Sequence, residues 1–297
     1  MDHKAFLKSL STEQRQHLTA RSDAKGLAHL AGHWGAIAVC TTLILWPVPL
    51  WQALLIVQGL LIVFLFSLLH ETSHKTPFAR DWINDAVGQV CGFLIFLPAT
   101  WFRYFHFAHH KHTQTPGKDP ELDSPKPETK LQYVVYVSGI PLWLNHAKTV
   151  IKTARGQMSD RYIPASRRAS ITREARLYLV GYAALLAASV WQASAVLVYI
   201  WLLPAVLGQP FLRLYLLAEH GRCPTVANMF ENTRTTFTSR MMRALAWNMP
   251  YHTEHHTYPS VPFHRLPELH DLIDPHLEVT ADGYAAFNRA YVGEVLE

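Results

Sequence analysis

Residues 31–69 contain no Lys, Arg, Asp or Glu, and Pro47 and Pro49 divide the run into two apolar segments. A helix rising about 1.5 Å per residue crosses a hydrocarbon layer of about 30 Å in roughly 20 residues. Residues 51–69 come close to that length, so the run reads as a helical hairpin in a bilayer, where a backbone must satisfy its own hydrogen bonds. A second charge-free run, 177–212, carries a polar break at Gln192 and Ser194 and supplies a second pair. The expected architecture is therefore an all-α integral membrane protein with four transmembrane helices. Composition agrees, with 49% hydrophobic and only 16% charged residues, fewer than the quarter or so usual in soluble domains.

Sidedness follows from the basic residues. Lys75, Arg103, Lys118, Lys148 and Arg173 lie among many Lys and Arg between the two hairpins, and neither hairpin tip carries any. By the positive-inside rule the termini and the central segment are expected in the cytoplasm. The net charge of +5 then suits a membrane surface better than nucleic acid. Two shorter apolar stretches, 86–101 and 131–144, contain Gly, Pro or polar residues and are expected to be interfacial or re-entrant. Pro116, Asp119 and Glu128 mark an exposed loop before the second of them. The polar start of the chain lacks the apolar core of a secretory signal, so no cleaved peptide is expected. Cys40, Cys91 and Cys223 form no paired motif and read as buried fillers. One domain spans 1–297: a first hairpin at 28–69, a cytoplasmic loop at 70–175, a second hairpin at 176–217 and a cytoplasmic region at 218–297.

The chemistry is concentrated in histidine. Of 18 histidines, eight fall into three clusters: His70 and His74; His106, His109 and His110; His252, His255 and His256. Two copies of HxxHH beside an HxxxH are improbable by chance in a chain of 297 residues. Positions three or four apart share one helix face, so each cluster can grip an ion from one side. Imidazole suits iron, zinc and copper, while a catalytic zinc takes three protein ligands, so eight or nine histidines fit two ions. An even number of crossings separates the clusters, which places all three on the cytoplasmic side, as a helical cap over the membrane.

Residues 70–74 also read as HExxH, the zinc metalloprotease signature with Glu71 as general base. That reading leaves six clustered histidines without a role. A carboxylate-bridged di-iron bundle needs more Glu than the single ExxH at 71–74 offers, and a metal transporter or receptor predicts ionisable groups within the crossings. In the metal-centre reading, Glu71 and Glu254 accept hydrogen bonds from ring N–H groups and orient the ligands, with Asn248 as a further supporting residue.

The three-cluster pattern resembles the membrane fatty acid desaturase and hydroxylase superfamily, whose boxes are HxxxH or HxxxxH, HxxHH or HxxxHH, and a third HxxHH or QxxHH. The likeness runs from about residue 31 to 270. Residues 216–221 (LLAEHG) and 248–259 (NMPYHTEHHTYP) look like a bacterial branch of fatty acid desaturases. It implies a cytoplasmic centre of two iron ions using dioxygen as co-substrate to desaturate a fatty acyl or other lipid chain. Hydroxylation of a lipid is the alternative outcome on this scaffold, as is desaturation of a small amino-acid-derived substrate, because the branch is also similar to an enzyme acting on an amino-acid enol ether. The third box begins with His252 instead of Gln and no fused haem motif is visible, so electrons are expected from a separate ferredoxin- or cytochrome-type protein and its reductase. His220, directly before Gly221 where the fourth helix leaves the bilayer, is expected as a ninth ligand, since similar desaturases carry a lone metal-binding histidine near this point.

His112, His264 and His270 lie close to the boxes and could support them. His3, His17, His29, His33 and His146 are read as non-ligands. Arg234 is a candidate for a substrate head group or a lipid phosphate.

Overall fold

The computed structural model describes residues 1–46 and 48–295; Pro47, one of the prolines expected to divide the first pair, lies outside the described residues. Among the described residues three helical segments are long and apolar enough to cross a membrane: Thr12–Leu45, Trp51–His74 and Val198–His220. The first contains α1 (Asp23–Leu45). The second comprises α2 (Trp51–Val63) and α3 (Leu65–His74), joined at Phe64. Next come α4 (Asp81–Leu94), α5 (Ala99–His112), α6 (Lys130–Val137), α7 (Ile140–Ala154) and α8 (Ala165–Trp191). A π-helical turn at Val198–Leu202 leads into α9 (Leu203–His220), followed by α10 (His252–Thr257), α11 (Leu266–Ile273) and α12 (Tyr284–Val295). The third expected crossing falls in α8, which is not one of the three apolar segments because Arg167, Arg168, Arg173, Glu174 and Arg176 occupy its first half.

The α-only expectation needs one small correction. Thr235–Thr236 (β1) pairs in parallel with Thr280–Ala281 (β2) and ties the segment before α10 to the segment before α12.

Helix α2 crosses α9 with backbones in contact. A Cβ on Gly59 would stand 2.2 Å from the Pro204 oxygen, and one on Gly208 would stand 2.3 Å from the Gly59 oxygen. Small residues permit this close packing in a bilayer, where burial itself drives little association. Beyond the crossing, His70 follows Gly59 by eleven residues and His220 follows Gly208 by twelve, about 16–18 Å of helix in each case. Both segments thus deliver their histidines at one level.

The stretch expected to be re-entrant is a sharp elbow: α4 and α5 form a pair bent by 101°. Three carbonyls at the elbow accept side-chain donors from three other segments. Tyr182 Oη donates to the Phe93 oxygen (2.8 Å), Trp201 Nε1 to the Leu94 oxygen (2.8 Å), and His146 Nδ1 pairs with the Ile95 oxygen (3.1 Å). Non-helical backbone in an apolar layer requires such partners. His146 therefore has a structural partner away from the histidine boxes. The elbow turns α5 back so that its histidines lie beside α3, and Leu65, Leu68 and Leu69 pack there with Phe102, Trp247 and Phe263 in one core. Cys40, Cys91 and Cys223 are buried and unpaired with one another.

Candidate metal centre

Nine histidines from four helices converge. One ring nitrogen from each of His70, His74, His106, His110 and His255 lies within 4.8 Å of all the others, and His109, His220 and His256 form a second such group. His252 joins the second group, its Nε2 3.1 Å from His220 Nε2. The HxxHH spacing explains the split. Along α5, His106 and His110 share a face and enter the first group, while His109 turns to the second. Along α10 the shares reverse, with His252 and His256 in the second group and His255 in the first. Helix α3 adds His70 and His74 to the first group, and the C-terminus of α9 adds His220 to the second. The groups are adjacent, since His110 stacks on His256 with centroids 4.0 Å apart.

Donor chemistry fits cations. Both ring nitrogens of His70, His110 and His255 are buried without a hydrogen-bond partner, as is Nε2 of His256. Such groups are costly to bury unless something satisfies them. Elsewhere the rings face nitrogen to nitrogen, with His74 Nε2 2.8 Å from His106 Nε2 and His109 Nε2 3.1 Å from His220 Nε2. Burial holds His252, His255 and His256 well below the usual imidazole pKa, with neighbouring histidines adding to the effect, so these rings stay neutral and keep a lone pair to donate.

The opposite ring edges are held from outside. His109 Nδ1 donates to Asp119 Oδ1 (2.9 Å), His220 Nδ1 to the Asn232 oxygen (3.1 Å), and His256 Nδ1 to Thr113 Oγ1 (3.2 Å). Such partners fix ring orientation and leave Nε2 for an ion. Asp119 was expected in an exposed loop and is instead 1% exposed, where it also accepts from the Gln114 and Glu121 backbone N–H groups at 2.8 and 2.9 Å. Glu121, ion-paired with Lys126, places Oε2 3.3 Å from His109 Nε2. Glu219 lies 3.5 Å from His252 Nδ1. None of Thr113, Asp119, Glu121, Glu219 or Asn232 stands out in the sequence, because no local spacing links them to the boxes.

Three supporting residues chosen from sequence fare differently. Glu71 is fully buried, 3.6 Å from His255 Nδ1, and its Oε2 accepts from Thr76 Oγ1 and the Phe263 N–H, both at 3.1 Å. Its other oxygen, Oε1, is buried without a hydrogen-bond partner on the side facing His255. Glu254 makes no contact with a clustered ring and instead takes His270 Nδ1 at 2.5 Å and Thr235 Oγ1 at 2.6 Å. Asn248 donates to the Phe263 oxygen (2.9 Å), shaping the turn before α10. Arg234 does not face lipid: it is 7% exposed and donates to the Ala218 and Gly221 carbonyls, closing the end of α9.

A cavity of about 660 Å³ opens beside the centre. His70, His106, His109 and His252 line it together with the apolar Phe66, Leu97, Phe102, Leu212 and Leu216 and the charged Glu121, Lys126, Arg213 and Glu219.

Comparison with known proteins identifies the family. The profile of the fatty acid desaturase family matches residues 44–288. A fatty acid conjugase of Calendula officinalis is 25% identical over 261 residues, covering 78% of this chain and 68% of that protein. A Delta(12)-acyl-lipid desaturase of Punica granatum is 30% identical over 83 residues, 28% of this chain and 21% of that one. A Delta(12) fatty acid desaturase of Mortierella isabellina is 29% identical over 112 residues, 35% and 28% of the two chains. The last two matches thus span less than a third of those relatives.

Proposed function

The chain belongs to the fatty acid desaturase family, a family of membrane oxidoreductases, and we propose that it removes two hydrogens from adjacent carbons of a lipid acyl chain at a di-iron centre held by nine histidines. The carrying observation is the convergence of nine imidazoles, several with ring nitrogens that have no partner in the protein, beside a cavity that four of them line together with apolar side chains. In this reading one iron takes His70, His74, His106, His110 and His255, and the other takes His109, His220, His252 and His256. Bound there, the irons supply dioxygen activation that no side chain of the chain offers.

The protein's own part is positional. Asp119, Asn232 and Thr113 fix the tautomers of His109, His220 and His256. Phe66, Phe102, Leu212 and Leu216 give an acyl chain an apolar path to the cage and keep bulk water from it. Electron bookkeeping calls for a partner: reducing dioxygen to two waters takes four electrons, forming the alkene yields two, and two more must come from outside. A ferredoxin- or cytochrome-type donor with its reductase fills that need.

With α8 and the Val198–His220 segment as the second pair, four crossings put all boxes on the cytoplasmic side. Metal analysis of purified protein tests the reading: about two irons per chain are expected, and one zinc with negligible iron after iron-rich expression would overturn it.

A further inference from the structure

The cavity carries a second constellation, away from the histidines. On α9, Gln209, Leu212, Arg213, Leu216 and Glu219 line it at spacings of three and four, one continuous face leading to His220. Residues 198–212 of this segment carry no charge, so Arg213 is the first cation after the crossing begins. It is only partly exposed, with its guanidinium 3.8 Å from the centroid of the Tyr136 ring. Among the described residues no carboxylate lies within ion-pair distance of Arg213, and the nearby Glu121 is taken by Lys126. An ionisable side chain in such a helix marks a site for a charged or polar ligand.

Two other residues of the cavity wall carry buried donors without a partner. Gln209 is 2% exposed and its Nε2 has no hydrogen-bond partner. Its side chain is pinned from behind, because Gly139, at φ +71°, sits so close that a Cβ there would fall 2.2 Å from Gln209 Cγ. Trp143 also lines the cavity with its Nε1 buried and unpartnered. Two buried donors without a partner and a partly exposed guanidinium with no carboxylate in ion-pair range share one complement, an oxygen acceptor.

We propose that Arg213, Gln209 and Trp143 bind the polar end of the substrate, a carboxylate or ester oxygen, and thereby set where along the chain it reacts. This rests on the reading of the cavity as the substrate channel. His220 follows Arg213 by seven positions, about 10 Å of helix. An extended chain advances roughly 1.2 Å per bond, so the carbons reaching the cage lie on the order of eight to ten bonds from the polar end. The reacting position is counted from that end and not from the terminal methyl.

Two readouts test this on the iron-loaded protein. In the first, a free fatty acid, its methyl ester and an alkane of equal length compete with a fluorescent fatty acid for binding. The acid should bind better than the alkane, and Arg213→Gln should weaken the acid about 10- to 100-fold while leaving the alkane unchanged. Arg213→Lys, keeping the charge, should lose less. Gln209→Leu should weaken acid and ester yet leave thermal stability equal or higher, since it removes a buried orphan; a mere packing role predicts lower stability without ligand discrimination. An ester as strong as the acid identifies an ester-linked lipid as the source; an acid preference identifies the free carboxylate. Equal binding of acid and alkane by the native protein, or an acid affinity indifferent to both Arg213→Gln and Gln209→Leu, overturns the site. In the second readout, two acids differing by two methylenes should gain the double bond at the same position from the carboxyl. A position constant from the methyl end overturns the ruler. Should neither acid be desaturated while binding still depends on Arg213, the desaturase reading fails and the acceptor site stands.

Discussion

Asp119→Asn separates the two halves of the metal centre. The carboxylate receives three buried donors: His109 Nδ1 and the Glu121 N–H on Oδ1, and the Gln114 N–H on Oδ2. An asparagine of the same shape can keep its oxygen at one position only, and its NH₂ then faces a donor. In the better orientation it serves His109 and Glu121 and leaves the Gln114 N–H unpaired, costing about 1–3 kcal/mol of stability. The charge that polarises the His109 ring is lost in either orientation. Removing a partner of this kind weakens metal affinity about 10- to 100-fold, or roughly 1.4–2.8 kcal/mol. His109 belongs to the second group and not to the five-ring group, so one iron of two should become labile. The assay is iron per chain after equilibration against a graded chelator, with a melting curve in parallel. Native protein should hold both ions where Asp119→Asn holds about one, and Asn248→Gly, which removes the Phe263 contact while tolerating the left-handed backbone at φ +58°, should retain two. Identical retention by native and Asp119→Asn protein at every chelator concentration would refute the reasoning.

Three further outcomes are expected. His220→Ala should lose iron and turnover while keeping its membrane fold, whereas His146→Ala, which frees the Ile95 carbonyl and alters the cavity wall away from the boxes, should keep its iron; iron analysis distinguishes them. Burial depresses the pKa of His252, His255 and His256 in the folded state, so below about pH 6.5 the unfolded chain takes up protons that the fold refuses. Iron-free protein should therefore melt lower at pH 6 than at pH 8, and the reverse order would contradict the burial argument. Cysteines placed at Lys118 and Gln192 should label from opposite faces of the membrane, and equal labelling from one face would refute the four-crossing topology.

How much of this was legible follows from which relations are local. The boxes could be read because i, i+3 and i, i+4 spacings place rings on one face without knowledge of the fold. Charge-free runs likewise announced the apolar segments Trp51–His74 and Val198–His220. Glu254 misled because it stands between His252 and His256 in sequence, yet two residues turn a helix by about 200°, which points it at His270 and Thr235. Asp119 was hidden for a different reason: its loop returns to His109 through backbone contacts at Gln114 and Glu121 that no residue pattern declares. Arg234 read as a contact for a substrate head group or a lipid phosphate, and only the tertiary fold shows it closing α9 at Ala218 and Gly221. The first half of α8 is charged, so hydropathy alone concealed where that helix begins.

Desaturation itself is tested most directly by mass spectrometry of membrane lipids from a host expressing the native chain, set against the same host expressing His255→Ala. The account predicts acyl species lighter by two hydrogens, dependent on dioxygen and absent with His255→Ala. Lipids heavier by one oxygen would assign the same centre to hydroxylation, and lipid profiles identical with and without the native chain, in cells whose purified protein carries two irons, would contradict the proposal that an acyl chain is the substrate.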